Sequence, residues 1–387
     1  MSTPRTKTVE ILRDLIAFDT TSRNSNLDLI RWAEDYLKAR GVASELQFDE
    51  TGEKANLWAT IGPADTPGIM LSGHSDVVPV DGQDWATDPF TLSQKDGLLY
   101  GRGTADMKAF LAICLSHVED FTAADLKTPV HIAFSYDEEV GCLGGRQLAA
   151  MLRGLEIKPR LCVVGEPTSM GVVTGHKGKS SWRVKLTGHE CHSSLTHQGV
   201  NAVEYAAELI SSIRKLAHDK RDNGPFDDAF DPPYTTVHTG VIQGGTALNI
   251  VPKDCEFLFE FRNLPADEID DMFRIVEARA AELSVEMQAI QPDTGIGIER
   301  ISWFSGLGTD EESEVVTLTK AFAQSNDTSK VSFGTEAGHY HDAGVPTIIC
   351  GPGDIEQAHK PDEFVALDQI ARCEGFFARL IDWAGKN

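Results

Sequence analysis

No apolar run of about 18 residues occurs in this 387-residue chain, so nothing in it reads as a membrane-spanning helix. The N-terminal segment is charged and amphipathic and lacks the apolar stretch of a secretory signal. Cations are scarce: 35 Lys and Arg stand against 59 Asp and Glu, for a net charge of −24 and a pI near 4.8. Such an acidic surface argues against nucleic acid and against anionic membrane as partners. Cys114, Cys142, Cys162, Cys191, Cys255, Cys350 and Cys373 are odd in number and scattered, with no C-x-x-C among them. They fit reduced, mostly buried thiols in a cytoplasmic protein better than a disulfide framework. H-E-x-x-H and G-x-S-x-G are missing, and Gly101-x-Gly103 lacks the third glycine of a dinucleotide loop. Zincin, α/β-hydrolase and nucleotide-cofactor readings therefore have no support. Internal repeats and low-complexity tracts are also absent.

The length suggests two domains, and a composition that is 41% hydrophobic permits sizeable cores. Helical periodicity marks 8–18 and 26–40, with Leu29, Ile30, Trp32, Ala33, Tyr36 and Leu37 on one apolar face. Apolar runs at 69–71, 130–134, 161–164 and 347–350 read as buried strands, and 107–121 and 144–152 as helices between them. This alternation predicts an α/β layer fold around a largely parallel or mixed sheet flanked by helices. The middle changes character. Strands at 181–186, 236–242, 255–262 and 284–290, with helices at 201–218 and 266–283, give the ferredoxin-like order β-α-β-β-α-β. The expectation is a discontinuous catalytic domain, 1–178 with 291–387, carrying an inserted domain at 179–290.

Acidic and imidazole groups terminate the apolar strands repeatedly. His74 and Asp76 follow one strand, Asp137-Glu138-Glu139 another, and Glu166 a third. Asp106 lies in the Gly-rich segment Gly101–Lys108 that opens a helix, and His359 in the loop after the last strand. Parallel sheets bind ligands at the carboxyl ends of their strands, so these groups would converge on one crevice. Singly, each has a plainer reading: Asp106 as a helix N-cap, Glu138-Glu139 as a solvated pair at a helix start, Glu166 as a turn residue. Together, two imidazoles and three carboxylates suit a pair of divalent cations with one bridging carboxylate, zinc before cobalt or manganese. The side chains of Glu138 and Glu139 diverge, so one would be a ligand and the other a general base.

Four segments taken in order resemble the dizinc aminoacylase/carboxypeptidase-type metallohydrolases: Gly73-His74-Ser75-Asp76-Val77-Val78-Pro79, Gly101-Arg102-Gly103-Thr104-Ala105-Asp106-Met107-Lys108-Ala109, Asp137-Glu138-Glu139-Val140-Gly141 and Gly165-Glu166-Pro167-Thr168. The resemblance spans nearly the whole chain and implies a catalytic α/β domain with an inserted dimerisation lid. It implies two zinc ions per subunit, replaceable by cobalt. His74 and Glu166 would hold one ion and Glu139 and His359 the other, with Asp106 bridging. Asp76 would support His74, Glu138 would be the general base, and the Asp106–Met107 peptide would be cis. In the lid, Gly188-His189-Glu190-Cys191-His192-Ser193-Ser194 makes His192 the group that reaches the partner subunit's site, although Thr196 stands where a Pro is usual. Asn249 and Arg262 would bind substrate, Arg262 through a carboxylate. Gly334-Thr335-Glu336-Ala337 resembles the deacetylating rather than the desuccinylating branch. That resemblance implies a small N-acyl amino acid substrate, N2-acetyl-ornithine foremost. Glu336 is an acidic group that would either face the cationic side chain of such a substrate or orient nearby loops by hydrogen bonds.

Overall fold

The computed structural model describes residues 3–387 and divides the chain into two compact units. The first comprises the chain through Gly175, with Leu307–Lys330 and Thr335–Asn387. Its sheet centres on parallel strands in the order Val130–Ser135, Ile69–His74, Leu161–Val164 and Thr347–Ile349. Ala55–Ile61 joins antiparallel at one side, and Val172–His176 meets Thr347–Ile349 antiparallel at Val173 on the other. The central strands are buried almost throughout, which is why they appear in sequence as mainly apolar runs rather than alternations. Helices Thr6–Ile16, Leu27–Lys38, Ala109–Ser116 and Leu367–Ala384 contribute to one core with Leu71, Ile132 and Val163. Every residue of Ala109–Ser116 is buried, so this helix is apolar all round.

The second unit is His176–Gly306 with Val331–Gly334. Its antiparallel sheet has the order Thr236–Gly244, Asp254–Asn263, Gly178–Thr187, Gly295–Phe304. Trp182, Val184, Leu186, Phe257, Phe259 and Phe261 alternate toward helices Ala202–Asn223 and Ile269–Ile290 and form a separate core with them. The opposite face carries half-exposed charges, with Arg183 3.4 Å from both Glu256 and Glu299.

Two sequence expectations need correction. The segment 284–290 is not a strand but the end of the helix Ile269–Ile290. Val276, Ala280, Leu283 and Met287 recur at helical spacing and are buried, whereas Val285, which the strand reading also needed, is 67% exposed. The sheet's last strand is therefore Gly295–Phe304, and the unit runs to Gly306 rather than 290. The helix expected from 107 begins at Ala109. Before it, Asp106 and Met107 are non-helical and the peptide bond between them is cis. All seven cysteines are free thiols, and all but the half-buried Cys191 are buried. Among the described residues, no helix is long and apolar enough to cross a membrane.

Candidate metal centre

The carboxyl ends of the central strands gather the expected ligands in one place. His74 is the last residue of its strand. Its Nε2 lies 2.9 Å from Asp106 Oδ1 and 3.9 Å from Glu166 Oε1. Asp106 turns its other oxygen, Oδ2, to His359 Nε2 at 3.3 Å. His359 Nε2 in turn lies 3.1 Å from Glu139. Asp106 thus spans two imidazoles with one oxygen toward each, the disposition a bridging carboxylate requires. Two triads, His74–Asp106–Glu139 and His74–Glu138–Glu166, each bring their donor atoms within 4.8 Å of one another. Gly165, just before Glu166, has no room for a side chain, because a Cβ there would run into the Phe110 ring.

The charges in this cluster are unbalanced. Burial, reinforced by Asp106, pushes Glu138 and Glu166 well above the usual carboxylate range and Glu139 up to about 7. Burial would raise Asp106 as well, but hydrogen bonds from His359 and His74 outweigh it and hold Asp106 low. His359, hydrogen-bonded to Asp106 and Glu139, is raised to about 10. Burial pulls His74 down, yet its bonds to Asp106 and Asp76 hold it well above its ordinary value. Buried carboxylates that resist ionising and imidazoles that retain protons both mark a place short of positive charge. The donor set is oxygen and imidazole nitrogen, which fits divalent zinc-type ions.

Other residues hold this cluster in shape. His74 Nδ1–H donates to the Asp76 backbone carbonyl at 2.9 Å, with the Asp76 carboxylate 3.5 Å away. That carboxylate does more than the sequence indicates. Its oxygens accept the backbone N–H groups of Glu138 at 3.0 Å and Glu139 at 3.3 Å, and the Ser22 hydroxyl at 2.7 Å. One buried Asp therefore ties the end of the His74 strand to the turn bearing both glutamates. Asp137, at positive φ in the same turn, pairs with Lys54 Nζ at 2.5 Å.

Glu336 lies among the ends of the central strands. It is fully buried, and its carboxylate accepts the hydroxyls of Ser72 at 2.9 Å and Ser135 at 2.6 Å, one on each of two central strands. It braces the strand ends from within. Glu363 and Arg102 were missed as structural partners. Glu363 is buried and lies 2.7 Å from Arg102. The signal available in the sequence was a carboxylate four positions after His359, directly before the apolar Phe364-Val365.

His192, Asn249 and Arg262 belong to the second unit. His192 is exposed and caps the short helix Ser193–Gln198, with its Nδ1 accepting from Ser194 N–H at 3.2 Å. The neighbouring Ser193 N–H donates to the Asn249 carbonyl at 3.0 Å, so these two segments adjoin. Arg262 lies on Asp254–Asn263 and donates through Nε to Glu260 at 3.0 Å.

Comparison with known proteins agrees with this architecture. Residues 70–383 match peptidase family M20/M25/M40. Acetylornithine deacetylase of Myxococcus xanthus is 36% identical over 375 residues, covering 96% of this chain and 95% of the relative. Its namesake in Proteus mirabilis is 36% identical over 389 residues, covering 97% and 96%. The M20-family metallo-carboxypeptidase Sso-CP2 of Sulfolobus solfataricus shares the fold at a TM-score of 0.76 and 16% identity, over 98% of this chain and 100% of that one. Aminopeptidase PepT of Bacillus cereus does so at 0.74 and 20% identity, over 98% of each. The protein is a metal-dependent hydrolase. It belongs to peptidase family M20/M25/M40.

Proposed function

We propose that this chain hydrolyses the amide of an N-acyl amino acid, foremost N2-acetyl-ornithine, releasing ornithine and acetate in the cytoplasm for arginine biosynthesis. The observation that carries this reading is the near full-length similarity, at 36% identity, to proteins named acetylornithine deacetylase. The net charge of −24 also favours a substrate with a cationic group over a succinylated, more anionic one.

His74 and Glu166 would hold one zinc ion and Glu139 and His359 the other, with Asp106 shared; cobalt would substitute. Such ions supply Lewis-acid polarisation of the amide carbonyl and a nucleophile active at neutral pH. Glu138 takes the proton of the attacking water and delivers it to the leaving nitrogen as the C–N bond breaks. Its raised proton affinity supports that shuttle. Asp76 holds His74 in orientation and, through the Glu138 N–H, keeps the base in register. Arg262 and Asn249 would bind the substrate carboxylate and backbone. Burial of Glu336 argues against its contacting the substrate's side chain.

The working state is a homodimer formed through the second unit, with His192 of one subunit stabilising the oxyanion in the other's site. Supporting this, the edge strand Thr236–Gly244 exposes Val241 and Ile242, at 47% and 51%, beside unpaired backbone. His192→Ala and Glu138→Gln should each be nearly inactive. Mixed under subunit exchange they should regain activity, because one site of each mixed dimer is then whole. No rescue despite demonstrated exchange would remove His192 from catalysis across the dimer.

Substrate class is tested by comparing kcat/KM for N2-acetyl-ornithine, N-acetyl-methionine, N-succinyl-diaminopimelate and a dipeptide. N2-acetyl-ornithine is expected to lead by about tenfold or more. A lead for the dipeptide or the succinylated compound would replace the deacetylase reading with a peptidase or a desuccinylase.

A further inference from the structure

We propose that the buried Arg102–Glu363 pair is a clasp that sets the spacing between Asp106 and His359, and so governs how tightly the centre holds its ions. Glu363 is a positioning residue in this scheme, and the inference rests on the two-ion reading above. Both oxygens of its carboxylate are fully engaged. Oε1 accepts the N–H groups of Ala105 at 2.8 Å and Asp106 at 3.1 Å. Oε2 accepts the N–H of Gly103 at 3.0 Å and Arg102 Nη1 at 2.7 Å. A single carboxylate thus gathers three backbone amides of the irregular turn that presents Asp106, where no regular helix supplies partners for them.

The same pair reaches His359. Arg102 Nη2 donates to Gln83 Oε1 at 2.6 Å, and Gln83 Nε2 donates to the His359 carbonyl at 2.9 Å. Arg102 Nη1 also approaches the Lys360 carbonyl at 3.3 Å. Behind the clasp, Phe364–Ala366 pairs antiparallel with Leu98–Tyr100, and Gly101 N–H donates to the Glu363 carbonyl at 3.0 Å. Two loops far apart in sequence, one bearing Asp106 and one bearing His359, are therefore laced together by a buried ion pair and one amide side chain. His359 needs such support, since its side chain is 53% exposed and its φ is +63°. Replacing the Glu363 carboxylate by an amide keeps the shape but turns one acceptor oxygen into a donor. Two N–H donors would then face an N–H, and the turn should loosen.

The test is calorimetric titration of the metal-free full chain with Zn2+, comparing native protein with Glu363→Gln. Native protein should take up two ions, and in the variant at least one should bind about 10–100-fold more weakly. Because Glu363→Gln leaves Arg102 buried without its counter-charge, the double variant Arg102→Met, Glu363→Gln is measured alongside, and it too should bind zinc more weakly. A purely structural role would lower melting temperature with affinities unchanged. Affinities within about twofold of native in either folded variant would overturn the clasp. If neither variant folds, hydrogen exchange on the native metal-free chain decides: the Ala105 and Asp106 amides should exchange slowly, and fast exchange would overturn the proposal. Fewer than two ions in the native protein would instead overturn the two-ion reading itself.

Discussion

Glu138→Gln is expected to lower kcat about a hundredfold to ten-thousandfold while both ions remain bound, and Glu139→Gln to lose an ion. The two residues are adjacent and chemically identical, so the asymmetry must come from geometry. Glu139 lies 3.1 Å from His359 and forms a donor triad with His74 and Asp106. Glu138 faces the other way, toward His74 and Glu166, where its Oε1 accepts the Cys142 thiol at 3.3 Å. Asp76 fixes this divergence by holding both backbone N–H groups. Glutamine keeps the shape of Glu138 but cannot take the proton of water, so turnover should fall with little change in metal content. At position 139 the same change weakens a donor to the ion itself. Metal analysis after dialysis, run beside kcat, separates the two. A Glu138→Gln protein that loses an ion while Glu139→Gln keeps both would reverse the assignment.

The core of the fold was legible because its strands are buried on both faces. Ile69–His74, Val130–Ser135 and Leu161–Val164 are written largely in apolar residues rather than in alternation, and a polar group at such a run's end has few positions to occupy. The segment 284–290 was misread because Val285, Met287 and Ala289 alternate as a strand would. The helical stripe that decides the matter begins earlier, at Met272. The sequence left two roles open for Glu336 because its partners are remote: Ser72 lies 264 positions away and Ser135 201. No local pattern distinguishes a carboxylate that braces two strands from one that faces a ligand. The Arg102–Glu363 pair, 261 positions apart, escaped for the same reason, although Arg102 lies within a motif that was read. Local periodicity reports which face is buried, whereas hydrogen bonds between distant loops leave no period to find.

Removal of the ions should abolish hydrolysis, and their return should restore it. The cluster holds Asp106, Glu138, Glu139 and Glu166 beside two imidazoles, with most of the group buried. The groups that would hold divalent ions also attract protons. Burial, with Asp106, lifts Glu139 to about 7, and His359 is raised to about 10 by Asp106 and Glu139. Uptake must displace the His359 proton at neutral pH and, as pH falls through about 7, an increasing share of the Glu139 proton as well. Affinity should therefore rise with pH from about 6 to about 9, and binding should release protons. The most direct test strips the full chain with a chelator and returns Zn2+ stepwise. Turnover of N2-acetyl-ornithine and ions bound per chain are then measured on the same samples. The expected result is no turnover in ion-free protein and full turnover once two ions are bound. Full turnover in protein shown by metal analysis to be free of ions would contradict the account.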